Sequence, residues 1–397
     1  MSHGIGTQPS DGRAHRPRVC LIASSPITIR AFLLPHIRVL VKEMDVTVAC
    51  NGAADEICDE LKQLGVTTVT VPIERRPNPL VDIRALRALV RVFNDGGFDA
   101  VQTVTPKAGL LGMSAARLAN VRVRIHWFTG QVWATSTGLP RRFLKAMDTL
   151  TCALATHALA DSRSQRDFLV RERVARSGGV EVLGDGSISG VSTTRFRPDP
   201  AGRSAVRSSL GIPEDAFVFI FLGRLTLEKG VRELAAAFAL VARDRPEVHL
   251  LVVGPDEGVE SSRLTDQCRG FAHRVHLIGM VREPEGFLAA ADALVLPSWR
   301  EGFGTTVIEA AACCVPAVAS DIYGLCDAVL NGVTGVLVPV KDPVALADAM
   351  RRFANNRRLV EALGSAARRR AIERFETTRL TEAFTDFLQR AILRSNE

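Results

Sequence analysis

The sequence predicts an α/β protein of two doubly wound lobes, each a parallel sheet covered by helices on both faces, with a cleft between them. Three observations predict it. Short runs rich in Val, Ile, Leu and Phe alternate with helical patterns along nearly the whole chain, and apolar runs of that length read as strands buried on both faces. The alternation breaks at GDGSISGVSTTRFRPDP (184–200), a Gly-, Ser- and Pro-rich segment without periodicity that reads as a hinge. The length, 397 residues, is too great for one ordinary hydrophobic core and fits two domains.

The opening MSHGIGTQPSDGRAHRPR is polar and has no apolar core, so residues 1–17 read as a disordered lead-in and not as a secretory signal. Strands are then expected at 18–23 (RVCLIA), 45–49 (DVTVA), 66–71 (VTTVTV), 99–103 (DAVQT), 121–126 (VRVRIH) and 156–160 (THALA). Between them lie helical stretches such as IRAFLLPHIRVLVKE, DEICDELKQLG and PLVDIRALRALVRVF. These elements make a Rossmann-like lobe over 18–187. The second lobe, 188–377, restarts with strands at 216–223 (AFVFIFLG), 248–254 (VHLLVVG), 274–279 (RVHLIG), 292–298 (DALVLPS), 316–320 (PAVAS) and 334–339 (TGVLVP). Arg-rich helices close the chain, and the last, 378–397, is expected to pack back on the first lobe.

Composition narrows the class. Hydrophobic residues make up 47% and charged residues 23%, the proportions of a globular protein. No uncharged apolar stretch approaches the ~20 residues of a membrane span. The eight cysteines (20, 50, 58, 152, 268, 313, 314, 326) form no C-x-x-C pair, which argues against a disulfide framework or a zinc site and for a reducing, cytoplasmic compartment. The net charge of +7 sits in the first half: residues 1–200 carry 26 Lys/Arg against 18 Asp/Glu, and residues 201–397 carry 24 against 25. Residues 101–150 alone hold seven bases and one acid. Such a field suits an anionic partner, although a solvated basic face is the plainer reading of charge alone.

Two common chemistries lack their motifs. The first strand runs into ASSPITIR without G-x-G-x-x-G, and the chain has neither a Walker A sequence nor a D-x-D pair. The second lobe is more informative. Gly223-Arg224-Leu225 and Glu228-Lys229-Gly230 put two cations next to a helix start, an arrangement suited to a diphosphate. WREGFGTTVIEA (299–310) then places Glu301 in a loop and Glu309 two turns into the following helix. The Gly-flanked amides between them can hold phosphate or sugar oxygens, and a carboxylate can accept hydrogen bonds from two hydroxyls. Taken singly, each residue also reads as a surface turn, a helix-terminal carboxylate or a solvated helix face.

Together, Glu301-x7-Glu309 and the G-R-x(4)-K of Gly223, Arg224 and Lys229 resemble the retaining glycosyltransferases of family 4, which have the GT-B fold. The resemblance runs from about residue 18 to the C terminus. It implies that Arg224 and Lys229 bind a donor diphosphate, that Glu309 binds the ribose, and that Met280 marks the segment meeting the nucleobase. It further implies that Glu301 and the main chain of Gly302, Phe303, Gly304, Thr305 and Thr306 hold the donor sugar and phosphates. Arg224, Lys229 and the helix amides would neutralise the leaving diphosphate without a metal or other cofactor.

In the first lobe, TVTPKAG (103–109) and RIHWFTGQ (124–131) are similar to a branch that adds sugars to polyprenyl-diphosphate-linked saccharides. That branch includes bacillosamine-lipid N-acetylgalactosaminyltransferases and capsule or O-antigen enzymes. The likeness puts His126 beside the donor sugar as a catalytic residue; from the sequence alone it reads equally as a core histidine ending a strand. Thr105 and Pro106 are helix-start signals, so Lys107 is expected near exposed N–H groups, as an anion site for an acceptor's lipid diphosphate. LPRRFLKAM (139–147) mixes Arg141, Arg142 and Lys145 with apolar residues at helical spacing and can either lie on an anionic membrane or pack on the sheet. Two departures from the family pattern are Ser24-Ser25-Pro26-Ile27-Thr28, where many members have a Gly-Gly loop, and Asp327, where many have Glu.

The expected activity is therefore transfer, with retention, of a hexose or N-acetylhexosamine from a UDP-sugar to a lipid-linked saccharide for a bacterial surface polysaccharide or glycan. The expected place is the inner face of the cytoplasmic membrane, with no nucleic-acid partner. The alternatives are a GT-B-type UDP-sugar epimerase, which lacks the Glu-x7-Glu arrangement, and a non-catalytic basic membrane-binding protein. A basic nucleic-acid binder would interleave aromatics with its bases, whereas aromatic residues are 6% of this chain with one Tyr.

Overall fold

Apolar strands alternating with amphipathic helices leave the sheet no solvent face, and the chain forms two six-stranded, wholly parallel sheets. The computed structural model describes residues 16–52, 56–74 and 78–397; residues 1–15, most of the expected lead-in, lie outside the described residues. The first sheet comprises β1 (Arg18–Ile22), β2 (Asp45–Cys50), β3 (Thr67–Thr70), β4 (Ala100–Val104), β5 (Val123–Phe128) and β6 (His157–Ala160). The second comprises β7 (Phe217–Leu222), β8 (Val248–Val253), β9 (Val275–Gly279), β10 (Ala293–Leu296), β11 (Ala317–Ser320) and β12 (Gly335–Val338). Their orders are β3-β2-β1-β4-β5-β6 and β12-β11-β10-β7-β8-β9. This is the two-lobed GT-B architecture.

Each order reverses once, between β1 and β4 and between β7 and β10. Loops that leave neighbouring strands in opposite directions open a crevice at the strands' carboxyl ends, where such sheets bind ligands. The loops at these two switch points are Ser24–Thr28 after β1, Thr105–Lys107 after β4, Gly223–Lys229 after β7 and Trp299–Gly304 after β10. The motifs read from the sequence thus fall at the crevice for a topological reason.

One expected helix departs from its pattern. IRAFLLPHIRVLVKE contains Pro35, which has no N–H for the carbonyl four residues back, and the chain widens into a π-turn at Ile29–Leu33 before resuming as Leu34–Leu40. Leu34 N–H donates to the Ile29 carbonyl, five residues back.

The two lobes are tied by two crossings of the chain. Val191 N–H donates to the Phe375 carbonyl at 2.8 Å and Thr377 N–H to the Val191 carbonyl at 3.0 Å. Gly190 (φ 64°) makes this approach possible, since a Cβ there would lie 2.4 Å from the Phe375 carbonyl oxygen. Beyond the crossing, the helix Thr377–Asn396 lies on the first lobe, where Phe384, Phe387, Leu388, Ala391 and Ile392 join the core around β1 and β5. Phe384 is fully enclosed, with its ring 5.0 Å from His36 and 5.4 Å from Trp127. No helix among the described residues is long and apolar enough to cross a membrane.

Truncating Phe384 removes the largest fully buried side chain of the helix Thr377–Asn396. Phe384→Ala should lower stability by about 3–5 kcal/mol, the usual cost of emptying a buried phenylalanine site. Urea unfolding monitored by tryptophan fluorescence reads this directly, because Trp127 reports on the same cluster.

Candidate functional site

The site assembles from the loops after β7 and β10. Gly223 leaves β7, and the chain then makes the short turn Leu227–Lys229 before the helix Val231–Asp244. Gly230 (φ 70°) separates the two because nothing larger fits: a Cβ there would lie 2.0 Å from the Pro297 carbonyl oxygen. This close approach of the two loops brings Lys229 to Glu301. Lys229 Nζ is 2.5 Å from Glu301 Oε1, and Ser298 Oγ donates to the same oxygen at 2.8 Å. Arg224, more exposed, pairs with Glu257 at 2.7 Å.

Beyond Glu301, the loop Gly302–Gly304 leads into the helix Thr305–Ala312. Gly302 and Gly304 are buried, and Thr305 and Thr306 are half-buried. Phe303 turns its ring into the core against Phe375, 5.1 Å away, so only its main chain is available to a ligand. Glu309 is half-buried in the helix, its carboxyl pushed up to about 7 by burial and by Glu285, with Arg195 opposing. Met280, just past β9, is 68% exposed and lies open on the surface. Among the described residues no three or more His, Cys, Asp and Glu side chains gather as metal ligands.

The first lobe supplies the other wall. His126 in β5 differs from the expected ring facing an open cleft. It is 1% exposed, with Nδ1 2.8 Å from Thr103 Oγ1 and its ring 4.4 Å from Phe128. Gly109 makes room for it, since a Cβ there would lie 2.3 Å from the imidazole Cε1. Burial lowers the His126 pKa to about 3, so the ring is neutral at physiological pH. Lys107, expected near exposed N–H groups, pairs its ammonium with Asp82 at 2.6 Å, a carboxylate from the preceding helix Pro79–Gly96. Thr105 holds φ at 70° and donates its hydroxyl to Ser24 Oγ at 3.3 Å, joining the β4 loop to the β1 loop.

Several residues that meet across the lobes had no part in the sequence-based site. Glu228 accepts from Arg300 Nε and Nη2 at 3.0 and 2.6 Å, and from Thr135 Oγ1 of the first lobe at 2.8 Å. Burial pushes the Glu228 carboxyl up, but the Arg300 bonds outweigh it and hold the group below its ordinary value. Ser162 Oγ donates to the Gly302 carbonyl at 2.9 Å, and Ser164 N–H donates to Asp327 Oδ2 at 2.9 Å. Gly324 N–H donates back to Ser164 Oγ at 2.7 Å. The shorter acid at 327 thus serves as a tie between lobes. Ser162-x-x-Gln165 is a helix-start signature legible in the sequence: Ser162 Oγ accepts from Gln165 N–H, and Gln165 Oε1 accepts from Asp161 N–H. It marks the helix Arg163–Arg171 but not the loops of the other lobe that this helix meets.

Comparison with known proteins accords with this geometry. A family model described as "Glycosyl transferases group 1" matches residues 202–370, and one described as "Glycosyl transferase 4-like domain" matches residues 37–186. The chain resembles the group 1 glycosyltransferases over both lobes. It is 29% identical to the capsular polysaccharide biosynthesis glycosyltransferase CapM of Staphylococcus aureus, over 85% of this chain and 87% of that protein. It is 36% identical to a D-inositol 3-phosphate glycosyltransferase of Streptomyces avermitilis, over 55% of this chain and 48% of that one. Among solved structures, Anabaena HepE in complex with UDP and glucose superposes with a TM-score of 0.79 at 20% identity, covering 94% of this chain and 99% of that one. At that identity the likeness speaks for the fold of the glycosyltransferase and not for its substrates.

Gly302 is the tightest point of the seam. A Cβ there would lie 2.5 Å from Asp161 Oδ2 and 2.9 Å from Gly130 N. Gly302→Ala should therefore hold the lobes apart and lower glycosyl-transfer kcat by about 10²-fold, the effect of roughly an ångström of misplacement. Far-UV circular dichroism should be unchanged, since neither sheet is touched.

Proposed function

We propose that this glycosyltransferase moves a hexose or N-acetylhexosamine from a UDP-sugar, with retention of configuration, to a lipid-linked saccharide during assembly of a cell-surface polysaccharide. The observation that carries the reading is the Lys229–Glu301–Ser298 cluster at the carboxyl end of β10, one loop away from the half-buried Glu309. Support for a surface-polysaccharide product comes from the CapM name, and the fold is one in which HepE holds UDP and glucose.

In this reading Arg224 and Lys229 bind the donor diphosphate. Each is now held by a carboxylate oxygen, Glu257 and Glu301, at a distance a phosphate oxygen would take. The amides at the start of the helix Thr305–Ala312 add partial positive charge where the leaving diphosphate gains negative charge. Glu309 receives the ribose hydroxyls, and Glu301, oriented by Ser298, receives hydroxyls of the sugar. Neutralisation comes from side chains and main chain, with no metal in the mechanism. Retention follows if the acceptor attacks on the face the diphosphate leaves, with a phosphate oxygen taking the acceptor's proton. His126, enclosed behind Gly109 and Thr103, shapes the wall of the sugar pocket from beneath.

The rim of the first lobe suits an acceptor held in a membrane. Ile27, Leu80, Leu139 and Phe143 are 69%, 72%, 77% and 62% exposed. They lie on segments that start at the carboxyl edge of one parallel sheet, and therefore on one side of the lobe. Arg84 and Arg142 are exposed beside them. Arg141 and Lys145, however, both pair with Glu172, at 2.9 and 2.7 Å, and lie over the Trp133 ring. The apolar side chains are therefore the main contact, and the cations available to an anionic leaflet contribute about 1 kcal/mol each. The proposed location is the inner face of the cytoplasmic membrane.

Two measurements test these readings. Glu309→Ala should weaken UDP-sugar binding by about 1.5–3 kcal/mol in calorimetry, the range for hydrogen bonds to a charged group. In a transfer assay of the unsubstituted chain activity should persist in EDTA, and NMR of the product should show the donor's anomeric configuration. Unchanged affinity would remove the ribose assignment. Separately, the double variant Leu139→Gln, Phe143→Gln should lose binding to vesicles of anionic lipid and slow transfer to a membrane-embedded acceptor. Transfer to a soluble short-chain acceptor should be spared, and undiminished vesicle binding would reject this face as the membrane contact.

A further inference from the structure

Asp161 follows β6 and reaches the seam from the first lobe, yet nothing in the donor chemistry uses it. It is 5% exposed, and its Oδ1 has no hydrogen-bond partner. Its main chain is fixed: Asp161 N–H donates to Gln165 Oε1 at 2.7 Å, and Ser187 N–H donates to its carbonyl at 2.6 Å. The carboxyl packs on Gly302, with Oδ2 2.5 Å from where a Cβ on that glycine would stand. It therefore abuts the loop that carries Glu301 in the opposite lobe.

Few groups could compensate a charge there. Glu301 faces it from the β10 loop and is itself held by Lys229 and Ser298. Trp127 of β5 turns its indole N–H toward the carboxyl, outside hydrogen-bond geometry. The other contacts, Gln165 from the helix Arg163–Arg171, Ser187 from the hinge segment and the Phe303 ring beside Gly186, are uncharged. Behind Trp127, 5.7 Å away, lies His36, whose own burial keeps it neutral. The Lys229 ammonium is bonded to Glu301 and not to Asp161. Glu301 thus has a cation of its own, Arg300 of the same loop is bonded to Glu228, and Asp161 Oδ1 has no partner.

We infer that Asp161 is a positioning residue that works as the neutral acid: the lobes close over the Gly302 loop with Asp161 protonated, and its ionisation against Glu301 drives them apart. Burial first, and the Glu301 charge after it, raise the Asp161 pKa to about 8, against the Trp127 indole. In an opened cleft the carboxyl is solvated and titrates near the ordinary value of about 4. The closed form then binds a proton that the open form lacks between those two values. Closure is strongest below the open-form value and is lost as pH rises toward the closed-form value, by up to about tenfold in the closed-to-open ratio per pH unit. The inference rests on the donor-loop reading for its consequence in catalysis, but the seam itself is measurable without a donor.

The experiment is small-angle X-ray scattering of the ligand-free full chain between about pH 5 and about pH 8, inside the interval between the two values in which this linkage acts. The wild-type radius of gyration should rise with pH, while Asp161→Asn, the isostere of the neutral acid, should keep the compact value throughout. Other titrating groups are common to both proteins and cancel in the difference. Glu301→Gln, which removes the facing charge and leaves Asp161, should move the opening midpoint to higher pH. A wild-type curve without pH dependence, or an Asp161→Asn curve that follows it, overturns the inference; if Asp161→Asn does not fold, an unmoved Glu301→Gln midpoint does so alone. A protein that opens as stated but binds no UDP-sugar refutes the donor reading and leaves the seam inference standing.

Discussion

The site depends on how closely two lobes can approach at Gly302. Main chain from Gly130 presses on one side of it and the Asp161 carboxyl on another, and Gly324, whose own Cβ would lie 2.7 Å from the Gly302 carbonyl oxygen, on a third. A single Cβ at this point would have to displace main chain from the opposite lobe, and dense packing has no slack for that. The ties that hold the approach are short and polar: the Ser162 hydroxyl to the Gly302 carbonyl, Ser164 to Asp327, and Thr135 to Glu228. Polar ties suit a cleft that must open, because each broken bond can be replaced by one to water at small net cost. The apolar cores stay within the lobes, and the connection that does not break is the double chain crossing at Val191 and Phe375.

Charge at the seam follows a related logic. Two acids near the cleft have a cation of their own, Glu228 with Arg300 and Glu301 with Lys229, whereas Asp161 has none; Glu309 feels Arg195, which is itself paired with Glu285. These pairs orient the carboxylates before any ligand arrives, which is where preorganised electrostatics act in catalysis. At Lys107 and at Arg141 with Lys145 the same pairing has another effect. Asp82 and Glu172 take up cations that look available in the sequence, so the basic first half offers less free charge than its count suggests.

Much of the fold was legible beforehand because a parallel sheet buries both faces. Strands such as FVFIFL and VHLLVV can only be interior, and their places in the chain follow directly. The second-lobe motif was legible for a different reason: Arg224, Lys229, Glu301 and Glu309 lie in loops and helix starts directly after strands, where local sequence decides the neighbourhood. His126 was half legible. Its place at the end of a strand is local, but its enclosure depends on Gly109 in another element. Asp161, Thr135, Arg300 and Asp327 were not legible, since each matters through a partner far along the chain.

The sequence by itself determined the two-lobed α/β architecture, the order of its elements and the residue types at the switch points, because periodicity and turn chemistry act over a few residues. Tertiary structure alone decided which charges are spent on each other, which main-chain groups meet across the cleft, and which histidine and which carboxyl lie out of water. Those outcomes depend on distances between separate segments, some more than a hundred residues apart, as with Ser164 and Asp327 or Ser162 and Gly302, and some in neighbouring elements, as with Gly109 and His126. Local pattern carries no term for such distances, and desolvation, which sets the state of Asp161 and His126, exists only once the lobes have packed.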